Sequence, residues 1–124
     1  NRAGGLLCIW SEEAFKLENK ALGGGFIFLE GTWIPDGNKI IIVNLYSPCE
    51  ASLKRNLWEE IRQLRNANLG GLWCIIGDFN NVRRTYERLG ICQRVQDASL
   101  MKDFNDWIAE LEIDDVPCVG RKFT

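Results

Sequence analysis

The chain has 124 residues, the length of one ordinary domain, and 46% of them are apolar, which is enough for a hydrophobic core. A formal net charge of −2 excludes a broad basic surface of the kind that dominates nucleic-acid affinity, so any such contact has to be local. No apolar run approaches the roughly 20 residues that span a bilayer, and no signal-peptide pattern opens the chain. The composition therefore predicts no membrane partner and a nuclear or cytoplasmic location.

Five cysteines are widely spaced, with no Cys-x-x-Cys pair and no histidine in the chain: Cys8, Cys49, Cys74, Cys92 and Cys118. A zinc site needs clustered ligands, so none is expected. Cys8 and Cys74 stand within apolar runs, where cysteine behaves as a small hydrophobe. We predict five reduced, mostly structural thiols, with a disulfide framework as the alternative.

The first 46 residues are rich in strand signals. The continuous apolar run at residues 5–10 predicts a short buried strand. Alternation at residues 14–18 predicts a half-buried strand with Phe15 and Leu17 on one face; a helix beginning near Ser11 is the alternative. Two longer β-rich runs follow, at residues 26–34 and 39–46.

Pro-Asp-Gly-Asn at residues 35–38 separates those two runs. Proline presets φ, aspartate bonds locally to the backbone and glycine accepts positive φ, so a hairpin is predicted. Residues 40–43 form an unbroken apolar run, which indicates a strand buried on both faces.

Two amphipathic helices are predicted, at residues 51–68 and 98–111, with Lys54 on the solvent side of the first and Asp97 as N-cap of the second. Their apolar stripes comprise Leu53, Leu57, Trp58, Ile61 and Leu64 in the first and Leu100, Phe104, Trp107, Ile108 and Leu111 in the second. Gly70 and Gly71 end the first helix. Residues 72–77 are predicted to be a central strand.

The order of these strands and helices indicates a layered α+β domain with a largely antiparallel sheet, since a hairpin stands where an all-parallel sheet would need a crossover.

Gly-Asp-Phe-Asn at residues 77–80 follows the last predicted strand. If the backbone stays extended, Asp78 and Asn80 project together and Phe79 turns into the core. The carboxylate can then orient or deprotonate a water, and the amide can donate to a phosphoryl oxygen. The alternative is a strand end followed by an Asx turn, which favours the same residue types.

Tyr46-Ser47-Pro48 ends the preceding strand. If the two strands are neighbours, Tyr46 places its hydroxyl at the same sheet edge as Asp78. The alternative is that tyrosine suits strand ends and proline stops strands.

The order of buried strand, Tyr-x-Pro, helix, buried strand and Gly-Asp-Phe-Asn resembles the endonuclease/exonuclease/phosphatase family. Flanking stretches resemble its plant LINE-type retrotransposon branch: residues 4–10 (Gly-Gly-Leu-Leu-Cys-Ile-Trp), 86–90 (Tyr-Glu-Arg-Leu-Gly), 104–108 (Phe-Asn-Asp-Trp-Ile) and 120–124 (Gly-Arg-Lys-Phe-Thr). The resemblance covers essentially the whole chain. It implies that residues 1–124 are one partial domain, a four-layer α/β/β/α sandwich with largely antiparallel sheets that is incomplete at both ends.

By this resemblance, Asp78 positions the nucleophilic water or assists proton transfer, Asn80 holds the phosphate, and Tyr46 lines the phosphate site. Cys49 stands where abasic-site endonucleases carry asparagine, which weakens any expectation of abasic-site specificity.

Residues 82–96 carry four arginines against one glutamate: Arg83, Arg84, Arg88 and Arg94 against Glu87. Beside Asp78, this stretch, with Arg83 and Arg84 nearest, is a candidate contact for the nucleic-acid backbone. A solvated loop is the alternative.

The family's metal-binding glutamate and its terminal Asp-His pair have no counterpart here, and the chain has no histidine. No metal ligand is therefore assigned in these residues; Mg²⁺ or Mn²⁺ is expected in the complete domain, and this chain alone is expected to be inactive. The resemblance implies DNA as target and the reverse-transcriptase region of the same polyprotein as partner. A phosphatase branch of the family and a non-catalytic remnant or binding module remain alternatives.

Overall fold

A computed structural model describes residues 5–80 and 98–116. Within them lie four strands and two helices: β1 (Phe15–Gly23), β2 (Phe26–Trp33), β3 (Asn38–Tyr46), α1 (Ala51–Ala67), β4 (Leu72–Asp78) and α2 (Ala98–Leu111). The predicted N-cap at Asp97 and the arginine stretch at residues 82–96 lie outside the described residues. Both predicted helices, the two hairpin strands and the strand before Gly-Asp-Phe-Asn are confirmed.

The four strands form one mixed sheet in the order β1-β2-β3-β4. The β1–β2 and β2–β3 pairs are antiparallel, whereas β3 and β4 are parallel and are joined through α1. In the β2–β3 hairpin turn, Asn38 N–H donates to Asp36 Oδ1 at 2.9 Å and Gly37 has φ +73°. The α+β class predicted from the sequence is confirmed.

Both helices pack on one face of the sheet and enclose the core. The apolar stripe of α2 is buried throughout, as predicted. In α1, Leu57, Trp58 and Ile61 are buried, but two predictions are wrong. Leu53 is 48% exposed, and Lys54, expected in solvent, is only 3% exposed. The core cluster consists of Phe26, Phe28, Ile41, Val43, Leu45, Leu57, Trp58, Ile61, Trp73, Leu100, Phe104, Trp107, Ile108 and Leu111.

The opposite face of the sheet, called here the outer face, is less covered. In the two parallel strands it is formed by Ile40, Ile42, Asn44 and Tyr46 of β3 and by Leu72, Cys74, Ile76 and Asp78 of β4. Leu72 is 66% exposed and Ile76 47%, while Ile40 and Ile42 are half-buried. Complete burial of residues 40–43 on both faces is therefore wrong. Among the described strands β4 lies at an edge of the sheet, so its expected central position is not observed either.

Residues 5–10 are not a strand, contrary to the prediction, because they join no backbone ladder. This segment lies against the outer face instead. Asn44 Nδ2 donates to the carbonyl oxygen of Leu7 at 3.3 Å, and Trp10 packs edge-on against Phe15 with ring centroids 5.7 Å apart. An apolar run can therefore cover a sheet face without adding a strand to it. The strand predicted at residues 14–18 forms and extends to Gly23, which excludes the helical alternative there.

Cys8 and Cys74 are free thiols, as predicted, but Cys49 is disulfide-bonded, so the expectation of five reduced thiols is wrong at that position. In the part of the chain that the structure describes, no helix has both the length and the apolar character needed to cross a membrane.

Gly77 is predicted to be a position where alanine is not tolerated. Its φ is +128°, and a Cβ there would lie 1.9 Å from the carbonyl oxygen of Leu45 on β3. Gly77→Ala should lower the free energy of unfolding by about 3 kcal/mol or more, through backbone strain and displacement of the β3–β4 pairing. Gly70→Ala is the control, because a Cβ there meets nothing within 4 Å. Equal stability of the two variants in chemical denaturation would contradict this account.

The outer face is predicted to drive self-association of residues 1–124. It exposes Leu72 and Ile76 on β4, which is an edge strand among those described, and edge strands with apolar faces associate. Replacing both residues with lysine should shift the sedimentation profile toward monomer. Leu69→Lys is the control, since Leu69 is 70% exposed but lies between α1 and β4. Cooperative unfolding of an unmodified, monomeric chain would show the prediction to be wrong.

Candidate functional site

Tyr46 and Asp78 are the last residues of the two parallel strands, and they are directly paired. Opposite residues of paired strands point to the same face, so both side chains belong to the outer face. Both are exposed, Tyr46 at 46%. The pairing continues one residue further, where Ser47 N–H donates to the carbonyl oxygen of Asp78 at 2.8 Å. The structure thus brings the two predicted site residues to one strand end.

Asn80 does not continue the extended backbone, contrary to the prediction. Its φ is +48°, and its N–H donates to Asp78 Oδ1 at 2.9 Å, which closes the Asx turn considered as the alternative. Its carboxamide nitrogen Nδ2 donates to the carbonyl oxygen of Ser47 at 2.6 Å. The amide of Asn80 therefore braces the ends of β3 and β4 and does not point outward beside the Asp78 carboxylate.

Phe79 turns toward the helices, as predicted from the alternation. It is half-buried, and its ring centroid lies 5.7 Å from that of Phe104 and 6.4 Å from that of Trp107, both on α2. This contact fixes the backbone between Asp78 and Asn80 to the core. The position of the Asp78 carboxylate is consequently coupled to the packing of α2.

Lys54 is a part of the site that the sequence did not indicate. It lies in the first turn of α1, is 3% exposed, and its Nζ donates to the carbonyl oxygen of Asn80. Its charge led to the prediction that it faces solvent, because charged residues usually mark the outer stripe of a helix. The overlooked signal is its spacing: Lys54 precedes Leu57, Trp58 and Ile61 by three, four and seven residues, which places it on the buried stripe.

Burial lowers the pKa of the Lys54 ammonium below its ordinary value, and the negative charge of Asp78 partly offsets that effect. Removing an ammonium from water disfavours its charged form, while a nearby carboxylate favours it. Lys54 and Asp78 therefore form an electrostatically linked pair of a buried cation and an exposed anion.

Arg83 and Arg84 lie outside the described residues. Among residues 5–80 and 98–116, no group of three or more His, Cys, Asp or Glu side chains is arranged to hold a metal ion. Mg²⁺ prefers near-octahedral coordination by several oxygen ligands. Asp78 with the neighbours described here does not supply such a set, so no chemical step is assigned through a metal on these residues.

Two grooves lie away from Asp78. One, with a volume of about 790 Å³, lies at the opposite end of the sheet, beside the β2–β3 turn, and the other, of about 310 Å³, runs between α1 and α2. The first is lined by Trp33, Asp36, Asn38, Lys39, Ile40, Gly71 and Leu72, and the second by Arg55, Trp58, Glu59, Arg62, Asp103, Asp106, Trp107 and Glu110. Neither groove is lined by Tyr46 or Asp78.

Lys54 is predicted to make stability depend on pH in the alkaline range. Because its pKa is lowered in the folded state, the unfolded chain holds this proton to higher pH than the folded chain does. Folding then releases a proton, so rising pH favours the folded state until the ordinary lysine pKa is passed. The free energy of unfolding of the unmodified protein should rise relative to that of Lys54→Met as the pH is raised toward 10.5, the ordinary pKa of lysine. A constant or falling difference would contradict the burial of a charged Lys54.

Comparison with known proteins adds no family assignment. No protein-family model matches the chain, and no curated protein matches it significantly. Its function therefore has to be inferred from the motifs and from the geometry of the strand ends.

Proposed function

We propose that this chain is part of a metal-dependent phosphodiesterase domain of the endonuclease/exonuclease/phosphatase type, most similar to the DNA-nicking endonuclease of plant LINE-type retrotransposons. The observation that carries the proposal is the pairing of Tyr46 with Asp78 at the carboxyl ends of parallel β3 and β4. Ligands of sheet-based α/β proteins commonly bind outside the carboxyl ends of strands. The motif order that resembles the family thus coincides with a strand end suited to binding.

Asp78 is the residue assigned to the chemistry. Its Oδ1 accepts the Asn80 N–H, whereas Oδ2 accepts no hydrogen bond from the described residues. One carboxylate oxygen is therefore fixed by the turn, which leaves the other to orient a water for attack on phosphorus or to receive its proton. Tyr46, exposed beside it, supplies a hydroxyl for a phosphate oxygen.

Asn80 has a modified role in this proposal. Its amide nitrogen is engaged by the carbonyl oxygen of Ser47. The amide nitrogen can bind a phosphate oxygen only after its hydrogen bond to Ser47 is broken. While that hydrogen bond is present, Asn80 holds the turn that orients Asp78. Arg83 and Arg84 follow Asn80 by three and four residues in the chain, and they are proposed to contact the DNA backbone.

The proposal includes the four-layer α/β/β/α sandwich. The helices and the sheet described here correspond to two of its layers, and a second sheet would pack on the outer face. The exposure of Leu22 (76%), Leu72 (66%) and Ile76 (47%) on that face supports this arrangement. Mg²⁺ or Mn²⁺, DNA, the reverse-transcriptase region of the same polyprotein and a nuclear or cytoplasmic location belong to the complete domain in this proposal.

A non-catalytic scaffold is the second candidate, and one observation favours it. Gly-Asp-Phe-Asn forms an ordinary Asx turn in which the side chains of Asp78 and Asn80 both bind backbone groups. A remnant that retained only the fold would keep such a turn for stability alone. A phosphatase branch of the family would instead hydrolyse small phosphate esters and leave plasmid DNA intact.

Plasmid nicking in the presence of Mg²⁺ distinguishes these candidates. Three proteins are compared: residues 1–124, the complete domain, and the complete domain with Asp78→Ala. We expect nicking by the complete domain, none by residues 1–124, and a rate lowered by about 100-fold or more in Asp78→Ala, as for loss of a general acid–base group. Asp106→Ala, on the exposed side of α2, is the control and should retain its activity.

Nicking by residues 1–124, or full activity of Asp78→Ala in the complete domain, would refute the mechanism proposed here. A complete domain that hydrolyses a small phosphate ester but leaves DNA intact would favour the phosphatase branch. Absence of both activities would favour the scaffold.

A further inference from the structure

Lys54 is placed where it can act on the candidate site without touching a substrate. Lys54 is only 3% exposed, and its Nζ donates to the backbone carbonyl of Asn80, which stands two residues after Asp78. An ammonium enclosed to this degree cannot meet a phosphate directly. Its influence has to pass through the groups that it holds.

Among the described residues, the Asn80 carbonyl that Lys54 binds belongs to a turn whose hydrogen bonds connect the two strand ends. Asn80 N–H donates to Asp78 Oδ1 at 2.9 Å, Asn80 Nδ2 donates to Ser47 O at 2.6 Å, and Ser47 N–H donates to Asp78 O at 2.8 Å. Ser47 is itself only 2% exposed. Lys54 on α1 donates to the carbonyl oxygen of Asn80, so hydrogen bonds connect α1 with the ends of β3 and β4.

Packing alone does not account for a lysine at this position. Burial of an ammonium lowers its pKa, which means that the folded state disfavours its charge. An uncharged side chain of similar length, such as methionine, would fill the space without desolvating a charge, and such replacements are often neutral or stabilising. The charge is therefore costly to the fold, and it is bound to the turn that fixes Asp78.

We propose that Lys54 is a positioning residue of the candidate site: it holds the carbonyl of Asn80, whose N–H binds Asp78 Oδ1, and so keeps the Asp78 carboxylate in one orientation for phosphodiester hydrolysis. This inference rests on the proposed function. It assigns to α1 a part in the chemistry that the Gly-Asp-Phe-Asn and Tyr-x-Pro motifs do not contain.

The test uses the complete domain and separates kcat from KM. In Lys54→Met, kcat for the nicking of plasmid DNA should fall by about 100-fold, the size of effect that slight misplacement of a reacting group produces. KM should change by no more than about threefold, because Lys54 does not contact DNA. Lys102→Met, at an exposed lysine of α2 paired with Asp106, is the control and should leave both constants unchanged.

A double variant tests whether Lys54 acts through Asp78. If it does, Lys54→Met combined with Asp78→Ala should be no slower than Asp78→Ala alone, since residues that act as a unit are not additive. A purely structural lysine would instead lower kcat by the same factor in both backgrounds. That additive result, or a kcat for Lys54→Met within about twofold of the unmodified domain, overturns the proposal.

Amide hydrogen exchange supplies a measurement that does not depend on activity. Loss of the Lys54 contact should accelerate exchange of the Asn80 amide by about tenfold, with no change at the Phe28 amide in the middle of the sheet. If the unmodified domain does not nick DNA, the proposed function fails and Lys54 is judged by exchange alone. Unchanged exchange at Asn80 in Lys54→Met would then refute the positioning role as well.

Discussion

The parallel pairing of β3 with β4 is the constraint on which the rest of the structure depends. Parallel neighbours cannot be joined by a tight turn, so the chain has to leave the sheet and return across one of its faces. Helix α1 makes that crossing and buries Leu57 and Ile61 against the sheet. Gly77 permits the close register, because its positive φ and missing side chain leave room for the Leu45 carbonyl. One residue later, this register sets Tyr46 beside Asp78.

The same crossing explains why a charged residue lies in the interior. Since α1 begins at Ala51, only five residues after the last residue of β3, its first turn lies near the strand ends, and Lys54 reaches Asn80 from there. Desolvation disfavours the charged form of the ammonium, and the charge of Asp78 partly offsets that effect. Stability and the proposed chemistry therefore make opposing demands on this position, as is common where an active site needs a buried charge.

The two faces of the sheet differ in a way that bears on the proposed sandwich. The helix face is closed by aromatic contacts, including Trp58 with Trp107 at a centroid separation of 5.8 Å and a bond from Trp107 Nε1 to the Trp58 carbonyl at 2.9 Å. On the outer face the segment containing Leu7 and Trp10 contacts Asn44 and Phe15, while Leu72 remains 66% exposed. The hydrophobic core is thus closed on the helix side of the sheet, whereas part of the outer face is exposed.

The sequence by itself determined the elements whose physical causes are local. Helical periodicity located α2 to the residue, and Pro-Asp-Gly-Asn specified the β2–β3 turn through φ preferences and a short side-chain bond. Tertiary structure decided what depends on distant partners. The apolar run at residues 5–10 joined no ladder, and β4 lies at an edge among the described strands, because a run of apolar residues does not encode its neighbours. Lys54 binds Asn80, and Asn80 binds Ser47, because the β3–β4 pairing and the crossing of α1 bring those groups within hydrogen-bonding distance.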